Sequence, residues 1–391
     1  MTEISSLQLY KHFADIPDQR KTRGKLHHLS DIIVISLLAM ISGADDFVQI
    51  ALYGQRKEVW LKTFLELPNG IPSHDTFRQV FATLKSSLWQ SRFIAWIREL
   101  EITPPEFNQH GQVIDAIDVL AIDGKTARRS RHLDAHGLHT VSIWAASQGI
   151  VIAQLQVPEK SNEITAIPEI IESACVAGGI ITIDAMGCQK SIAWAAREHL
   201  ADYILGLKNN QPELFEMTTF MFDHADSLEW KGIEHDYFEQ VEQSHGRQET
   251  RRCWVMTDLS LLEQAKDWRD LRSVVRVEAT RKTRKGESCE VRYFLSSLGA
   301  NASLMARAIR KHWGIENSLH YVLDMTFHED WNRTRVGYAQ ANLVTLRHVV
   351  LNLFSLEKRY KMSMKAKRKC AGWDDAYVLE VLGFKPESFL R

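Results

Sequence analysis

Residues 180–184 read Ile-Ile-Thr-Ile-Asp, and their surroundings decide what kind of sheet they join. Gly178-Gly179 in front breaks any helix, and the apolar run that follows has the form of a strand buried on both faces. Asp184 closes it. Beyond Gly187 a helical pattern runs from about Gln189 to His199, and Tyr203-Ile204-Leu205 begins the next strand, ending at Lys208. Two buried strands joined by a helix predict parallel pairing through a right-handed crossover. Upstream, Glu163 to Ala174 reads as a helix. His139 to Ser147 and Ile150 to Val157 are β-rich runs joined at Gln148-Gly149, a hairpin signal. Val119-Leu120-Ala121-Ile122 is one more buried strand, followed by Asp123-Gly124-Lys125. The order strand, strand, strand, helix, strand, helix, strand predicts an α/β protein with a ribonuclease-H-like mixed sheet core, although other mixed α/β folds share that order.

Ahead of this core, residues 1–95 predict an all-helical domain with a DNA-binding role. Leu7, Tyr10 and Phe13 open a short amphipathic piece, and a basic loop runs from Gln19 to Lys25. Ile32 to Ile41 reads as a buried helix with Ser30 as its N-cap. Gly43 ends it, and Asp45 or Asp46 starts the next helix, running to about Leu65. In the stretch IPSHDTFRQVFATL (Ile71 to Leu84), Ser73 caps a helix with Asp75 in its first turn. Phe77, Val80, Phe81 and Leu84 form its buried face, and Arg78, Gln79 and Lys85 point outward. That pattern fits either a helix-turn-helix reaching for base edges or a plain helical bundle.

A linker rich in Pro, Asn, Gln and Gly (Thr103 to Gln112) separates the two regions. Residues 113–227 then form the first part of the core, and residues 228–298 a β-rich insertion. Residues 299–356 complete the core, and residues 357–391 carry a basic tail with a short packing helix. The insertion's strands span His235 to Gln243, Thr250 to Met256, Val274 to Thr280 and Glu290 to Leu295. Its loops hold Arg247, Arg251 and Arg252, then Arg281, Lys282, Arg284 and Lys285.

The chain has 391 residues, 45% apolar and 25% charged, with a formal net charge of −1. It is therefore no polycation, and any DNA affinity has to come from local basic patches. The 5 cysteines are far apart with no CxxC pair, which excludes a disulfide framework or a cysteine zinc site and suits a cytoplasmic protein. The longest apolar run is about half the ~20 residues that span a bilayer, so no membrane segment is expected.

The chemistry rests on acids at the rim of that core. Asp123 and Asp184 each follow a buried strand, and two such acids can meet over neighbouring strands. A carboxylate pair repels itself unless a cation sits between. Oxygen ligands with no histidine or cysteine cluster point to Mg2+ or Mn2+, two ions in all. Alone, each Asp also reads as a turn former or helix cap. A third acid comes from the helical stretch that begins at Ala306 and is expected to run through Arg335. Glu316 is the choice there, with Asp324, Glu329 and Asp330 as rivals. Lys125, Lys190 and Lys208 lie just past the strand ends and read as phosphate partners or as ordinary surface lysines. His312 reads as a phosphate or base contact or as a packed histidine, and Trp313 as core. Arg252, Lys285 and the Lys358 to Lys369 run read as DNA-backbone contacts or as a solvated surface.

The segments IDGK (Ile122 to Lys125), TIDAMGCQK (Thr182 to Lys190), LGLKNNQ (Leu205 to Gln211) and HWGIENSLHYVLDMTFHED (His312 to Asp330) resemble bacterial insertion-sequence DDE transposases of the H-repeat-associated type. The N-terminal DIPDQRKTRGKLHHLSDI and GIPSHDTFRQVF look like the region preceding the core in that family. The resemblance implies a ribonuclease-H-like core with a β insertion before the last acidic helix, and Asp123, Asp184 and Glu316 as a metal-binding catalytic triad. It further implies cleavage at the ends of an element, attack of the freed 3′-hydroxyl on target DNA, and double-stranded DNA and further copies of the chain as partners. A wider related group carries Tyr, Arg, Glu and Lys on that last helix. Here Ile309 and His312 stand at the Tyr and Arg spacing, and His320 or Leu323 near the Lys. A metal nuclease that cuts without joining, and a relict DNA-binding protein without catalysis, are the alternatives. A strand-transfer assay separates the first from a transposase.

Overall fold

The computed structural model describes His12 and residues 16–18, 20, 25–100, 118–130, 137–157, 162–244, 246–284 and 286–383. The amphipathic piece at Leu7, Tyr10 and Phe13, most of the basic loop, the linker and Lys285 lie outside the described residues. Helices α1 (Leu29–Ile41), α2 (Phe47–Leu61), α3 (His74–Thr83) and α4 (Ser86–Glu99) come first. α1 is apolar nearly all round, so it is buried nearly all round. Its N-cap is His28, not Ser30, which falls inside the first turn. Asp46 caps α2 by accepting from the Gln49 N–H, and the helix stops short of Leu65. Ser73 caps α3 as expected, with Phe77, Val80, Phe81 and Leu84 buried and Arg78, Gln79 and Lys85 exposed. The link from α2 to α3 fills residues 62–73, too long for a helix-turn-helix of which α3 is the second helix. The short turn joins α3 to α4 instead.

Strands β1 (Val119–Thr126), β2 (His139–Ala145) and β3 (Ile150–Val157) form an antiparallel meander. α5 (Glu163–Ser173) leads to β4 (Ile180–Ile183), and α6 (Lys190–Glu198) leads to β5 (Asp202–Leu207). Both strands are parallel to β1. β1 does not end before Asp123. The β2 ladder carries it on to Thr126, while its pairing with β4 stops at Ile122 and Ile183. α7 (Pro212–Ser227) was not anticipated. β6 (Asp236–Ser244), β7 (Arg247–Met256), β8 (Ser273–Thr283) and β9 (Gly286–Ser296) form a second meander, and β9 pairs with β5. The insertion thus extends the core, giving one 9-stranded mixed sheet in the order β3-β2-β1-β4-β5-β9-β8-β7-β6.

α8 (Ala302–His312) lies across this sheet. Its Ala302, Met305, Ala308 and Ile309 pack on Val119, Ile180, Ile204, Val255 and Val275. Each aliphatic side chain buried in this way contributes ~1.5–3 kcal/mol. The helix does not run to Arg335. It widens into a π-helix at Ile315–His320, continues as α9 (Tyr321–Met325) and then ends, and residues 326–338 are mostly irregular. α10 (Ala339–Leu356) is buried from Ala339 to Phe354. Its polar residues bond outward. Asn342 Nδ2 donates to the Phe81 and Leu84 carbonyls at 2.8 Å each, and Asn352 exchanges bonds of 2.8 and 2.7 Å with the Val151 backbone. α10 thereby ties the N-terminal helices to the sheet.

α11 (Met364–Trp373) and α12 (Asp375–Val381) close the described chain. Two cations of the basic tail are spent inside. Lys367 is buried on the Phe354 carbonyl (2.8 Å) and Glu357 (2.9 Å), and Arg368 is buried on the Ala44 carbonyl (2.8 Å) and Asp45 (2.7 Å). Among the described residues, no helix is long and apolar enough to cross a membrane.

Candidate active site

Side chains alternate along a strand. Asp123 therefore shares a face with Val119, and Asp184 with Ile180, and α8 covers that face. The register that pairs Ile122 with Ile183 sets the two acids side by side as their strands part. Asp184 then starts a tight turn over Ala185–Gly187. Its Oδ1 accepts from the Met186 N–H (3.0 Å) and the Gly187 N–H (3.4 Å), so the cap role is real, and among the described residues Oδ2 accepts no hydrogen bond. A Cβ at Gly206 would lie 3.0 Å from the Ala185 nitrogen and 3.1 Å from the Asp184 carbonyl carbon, so only glycine lets β5 run this close beneath the turn.

Glu316 enters from the π-helix, a local widening found mostly at functional sites. His320, at i+4, shares its side of the helix. The His320 Nδ1 lies 3.4 Å from Glu316 Oε2 and 3.5 Å from Asp123 Oδ2. One ligand atom from each of Asp123, Glu316 and His320 lies within 4.8 Å of the others. The expected donor set held no histidine. The spacing from Glu316 was the signal that could have found this one.

Asp123 and Glu316 open onto a cavity of about 560 Å³ that Asp184, Lys208, His312, Trp313, Arg292, Phe215 and Tyr293 also line. Burial, and then the neighbouring Glu316 carboxylate, push the Asp123 carboxyl up to about 8. Burial holds His312 below its ordinary value against the pull of Asp184 and Glu316, and its Nδ1 sits 3.0 Å from the Thr182 hydroxyl. Burial likewise depresses His320. Among the described residues, no lysine or arginine forms an ion pair with Asp123, Asp184 or Glu316. Carboxylates crowded in this way, with one imidazole beside them, suit a hard divalent cation such as Mg2+ or Mn2+. Trp313 is not core. It is 41% exposed, with the Arg292 guanidinium 4.7 Å from its ring centroid.

The other singled-out residues divide. Lys208 and His312 line the cavity. Lys125 turns to the rival acids instead, 2.7 Å from Asp324, 3.9 Å from Glu329 and 3.7 Å from Asp330, and is largely buried there. Lys190 pairs with Asp267 at 2.8 Å, and Arg78 with Asp75 at 2.7 Å, while Gln79 is exposed. Arg252 pairs with Glu239 at 2.7 Å. It also lines a second groove, of about 470 Å³, with Arg247, Arg251, Arg281 and Arg310, which meets the acidic cavity at Arg292 and Trp313.

A family described as "Transposase DDE domain" matches residues 115–353, and one described as "DDE_Tnp_1-associated" matches residues 10–97. The H repeat-associated transposase candidate YhhI of Escherichia coli (strain K12) is 34% identical over 383 residues, 96% of this chain and 97% of that protein. The transposase candidate YncI of Escherichia coli O157:H7 is 35% identical over 387 residues, 97% of this chain and 95% of that protein. A chain of the piggyBac transposase synaptic complex with hairpin DNA aligns with 97% of this chain and 81% of its own length, at TM-score 0.44 and 10% identity. With one family spanning the whole sheet and YhhI matched almost end to end, the chain belongs to the DDE-domain transposases.

Proposed function

We propose that this protein cuts DNA at the ends of an insertion element and joins the freed 3′-hydroxyl to target DNA. Asp123, Asp184 and Glu316 are its catalytic acids and hold one or two Mg2+ or Mn2+ ions, with His320 beside them. The observation that carries this reading is the cavity itself. Three acids share it, one of them pushed up to about 8 by burial and by a second, and among the described residues no lysine or arginine forms an ion pair with them. A divalent ion supplies charge neutralisation and activation of the attacking oxygen in such a site. The chain's own groups do the rest. Thr182 occupies Nδ1 of His312, which leaves Nε2 of that neutral ring for hydrogen bonding to a phosphate oxygen. Lys208, on the same cavity wall, offsets phosphate charge. The oxygen of a water molecule forms the new bond to phosphorus, leaving a 5′-phosphate, as the bond to the 3′-oxygen breaks. That oxygen takes up a proton and departs as the 3′-hydroxyl, which then bonds to a target phosphorus and displaces the target strand's own 3′-oxygen. Paired cutting of two ends calls for at least two copies of the chain on DNA, working in the bacterial cytoplasm on the nucleoid.

The test uses the purified full chain, Mg2+ and a labelled duplex carrying an element end. The wild type cuts and joins it. Asp184→Asn binds the duplex but cuts about 10³-fold more slowly, since a metal contributes several kcal/mol and each ~1.4 kcal/mol is a factor of ten. Cutting by Asp184→Asn at the wild-type rate removes the site assignment. Cutting without joining by the wild type makes the protein a nuclease.

A further inference from the structure

The acidic-then-basic turn after α9 has no part in the chemistry above. In it Trp331 is 67% exposed, a large apolar side chain at the surface. It is not loose. The Arg129 guanidinium stands 5.1 Å from its ring centroid, and the Arg335 Nη2 donates to the Arg129 carbonyl at 3.3 Å. The Arg128 N–H donates to Asp330 Oδ1 at 3.0 Å, and its side chain, 84% exposed, lies 3.2 Å from Asp330 Oδ2. Two segments distant in sequence, at 128–130 and 329–335, are thus pinned into one saddle. Arg128, Arg129, Arg333 and Arg335 are all exposed on it. Of the acids behind them, Asp324 and Glu329 are met by Lys125 and Arg347, and Asp330 takes up one saddle charge, that of Arg128, which leaves three arginines against no further acid of this cluster. The outward charge of the saddle is therefore positive.

Its position carries the inference further. Arg128 lies two residues past the end of β1, whose rise from Asp123 to Thr126 is about 10 Å, or roughly three base-pair steps of duplex. At its other end Gly337 (φ +52°) would bring a Cβ within 2.4 Å of the Ala82 carbonyl oxygen, and the Tyr338 N–H donates to that same oxygen at 3.0 Å. Ala82 lies one helical turn from Arg78 and Gln79 on α3. The saddle therefore bridges the acidic cavity and the exposed face of α3.

We propose that Arg128, Arg129, Trp331, Arg333 and Arg335 grip the phosphate backbone of the duplex between α3 and the acidic cavity. The proposal rests on the transposase reading. Guanidinium forks match phosphate oxygens, and an arginine-backed indole gives a flat face for a sugar edge. The contacts are to backbone, so they carry position and no base sequence.

The experiment measures full-chain binding to an element-end duplex and to an unrelated duplex of equal length, across a series of salt concentrations. The variants are the fourfold Arg→Ala change at 128, 129, 333 and 335, the fourfold Arg→Lys change, and Lys231→Ala as an exposed charge control. In the alanine variant the slope of log affinity against log salt falls by about one for each arginine in contact, and both duplexes bind about tenfold or more weaker near 0.1 M salt. The lysine variant keeps the slope, and Lys231→Ala matches the wild type. A wild type that binds DNA beside a folded alanine variant of unchanged slope overturns the saddle. So does a loss of self-association in the alanine variant, seen by sedimentation, with the slope unchanged, because the surface then joins two copies of the chain. A wild type that binds neither duplex overturns the transposase reading beneath it.

Discussion

Two acidic clusters lie one after the other along the last residues of β1, and they are balanced in opposite ways. Asp324, Glu329 and Asp330 surround Lys125, and Arg347 stands 3.7 Å from Glu329. Asp123 and Glu316, only a strand repeat away from Lys125, have a depressed histidine between them and no lysine or arginine paired to them among the described residues. The first cluster is neutralised by the fold. The second is left for something from outside. Residue type does not separate the acids of the first cluster from the proposed catalytic acids of the second; the identity of the compensating charge does.

The sharpest way to break this contrast is to remove one member from each side. Glu316→Gln is expected to cut cleavage about 10³-fold, by the same accounting as Asp184→Asn. It leaves stability within about 1 kcal/mol or raises it, because it relieves a like-charge contact. Lys125→Met does the reverse in kind. It strands buried acids without their cation and is expected to lower unfolding free energy by about 3–5 kcal/mol. Urea denaturation of both variants beside a cleavage assay checks the pair. If Glu316→Gln unfolds as easily as Lys125→Met, the two clusters are not different in the way drawn here.

How far the sequence reaches follows the same line between local and distant causes. β4 and its Asp184 were legible because a short apolar run behind Gly178-Gly179 is a local signal. So was α3, whose cap and buried face sit within one stretch. The π-helix at Glu316 was not, because nothing in the residue spacing of that stretch sets a widened turn apart from an ordinary helix. The joining of β9 to β5 was hidden too, since those strands are far apart in the chain and the insertion's own pattern is complete without the pairing. The burial of Lys367 depends on the Phe354 carbonyl and Glu357 at the end of α10, and that of Arg368 on α1 and the loop after it, which a charge run cannot reveal. Trp313 reads as core in the sequence, yet it is exposed and its partner is Arg292 from the insertion. The structure brings Asp123 and Glu316 together, with His320 between them, a residue that the sequence offers only as a spacing match.

Adding the outside cation is the next test. With a divalent ion bound to the native state alone, stability rises by about 2.7 kcal/mol at a hundredfold excess over the dissociation constant. Mn2+ is expected to raise the melting temperature of the wild type and not of Glu316→Gln. Asp123 sets the pH dependence. Its native value of about 8 lies above the ~3.9 of an unfolded chain, so its proton favours the native state at low pH and that advantage is gone once pH passes 8. The ion needs the carboxylate, so the lift is larger at pH 8.5 than at pH 6.5. A lift that is equal at both, or equal in Glu316→Gln, places the ion elsewhere.

The smallest expected effect lies at the seam between the clusters. His348, on α10, shares a small internal cavity with His320, Lys125 and Glu329. Burial, and then the nearby charges of His320, Arg347 and Lys125, hold it down to about 3. An unfolded histidine takes up its proton near pH 6.5. Between those values the unfolded chain binds a proton that the native protein refuses, so stability is complete above 6.5 and is lost as pH falls towards 3. From pH 7 to 5.5 this one group removes about 1 kcal/mol. Replacing it by Leu, close in volume and without a titrating group, should flatten that part of the stability curve by one proton's worth and leave the part above pH 7 unchanged. If the slope is the same in His348→Leu, the ring already carries its proton in the native protein. The cation-rich side of the seam would then be less crowded than Lys125 and Arg347 make it, and the contrast between the clusters correspondingly weaker.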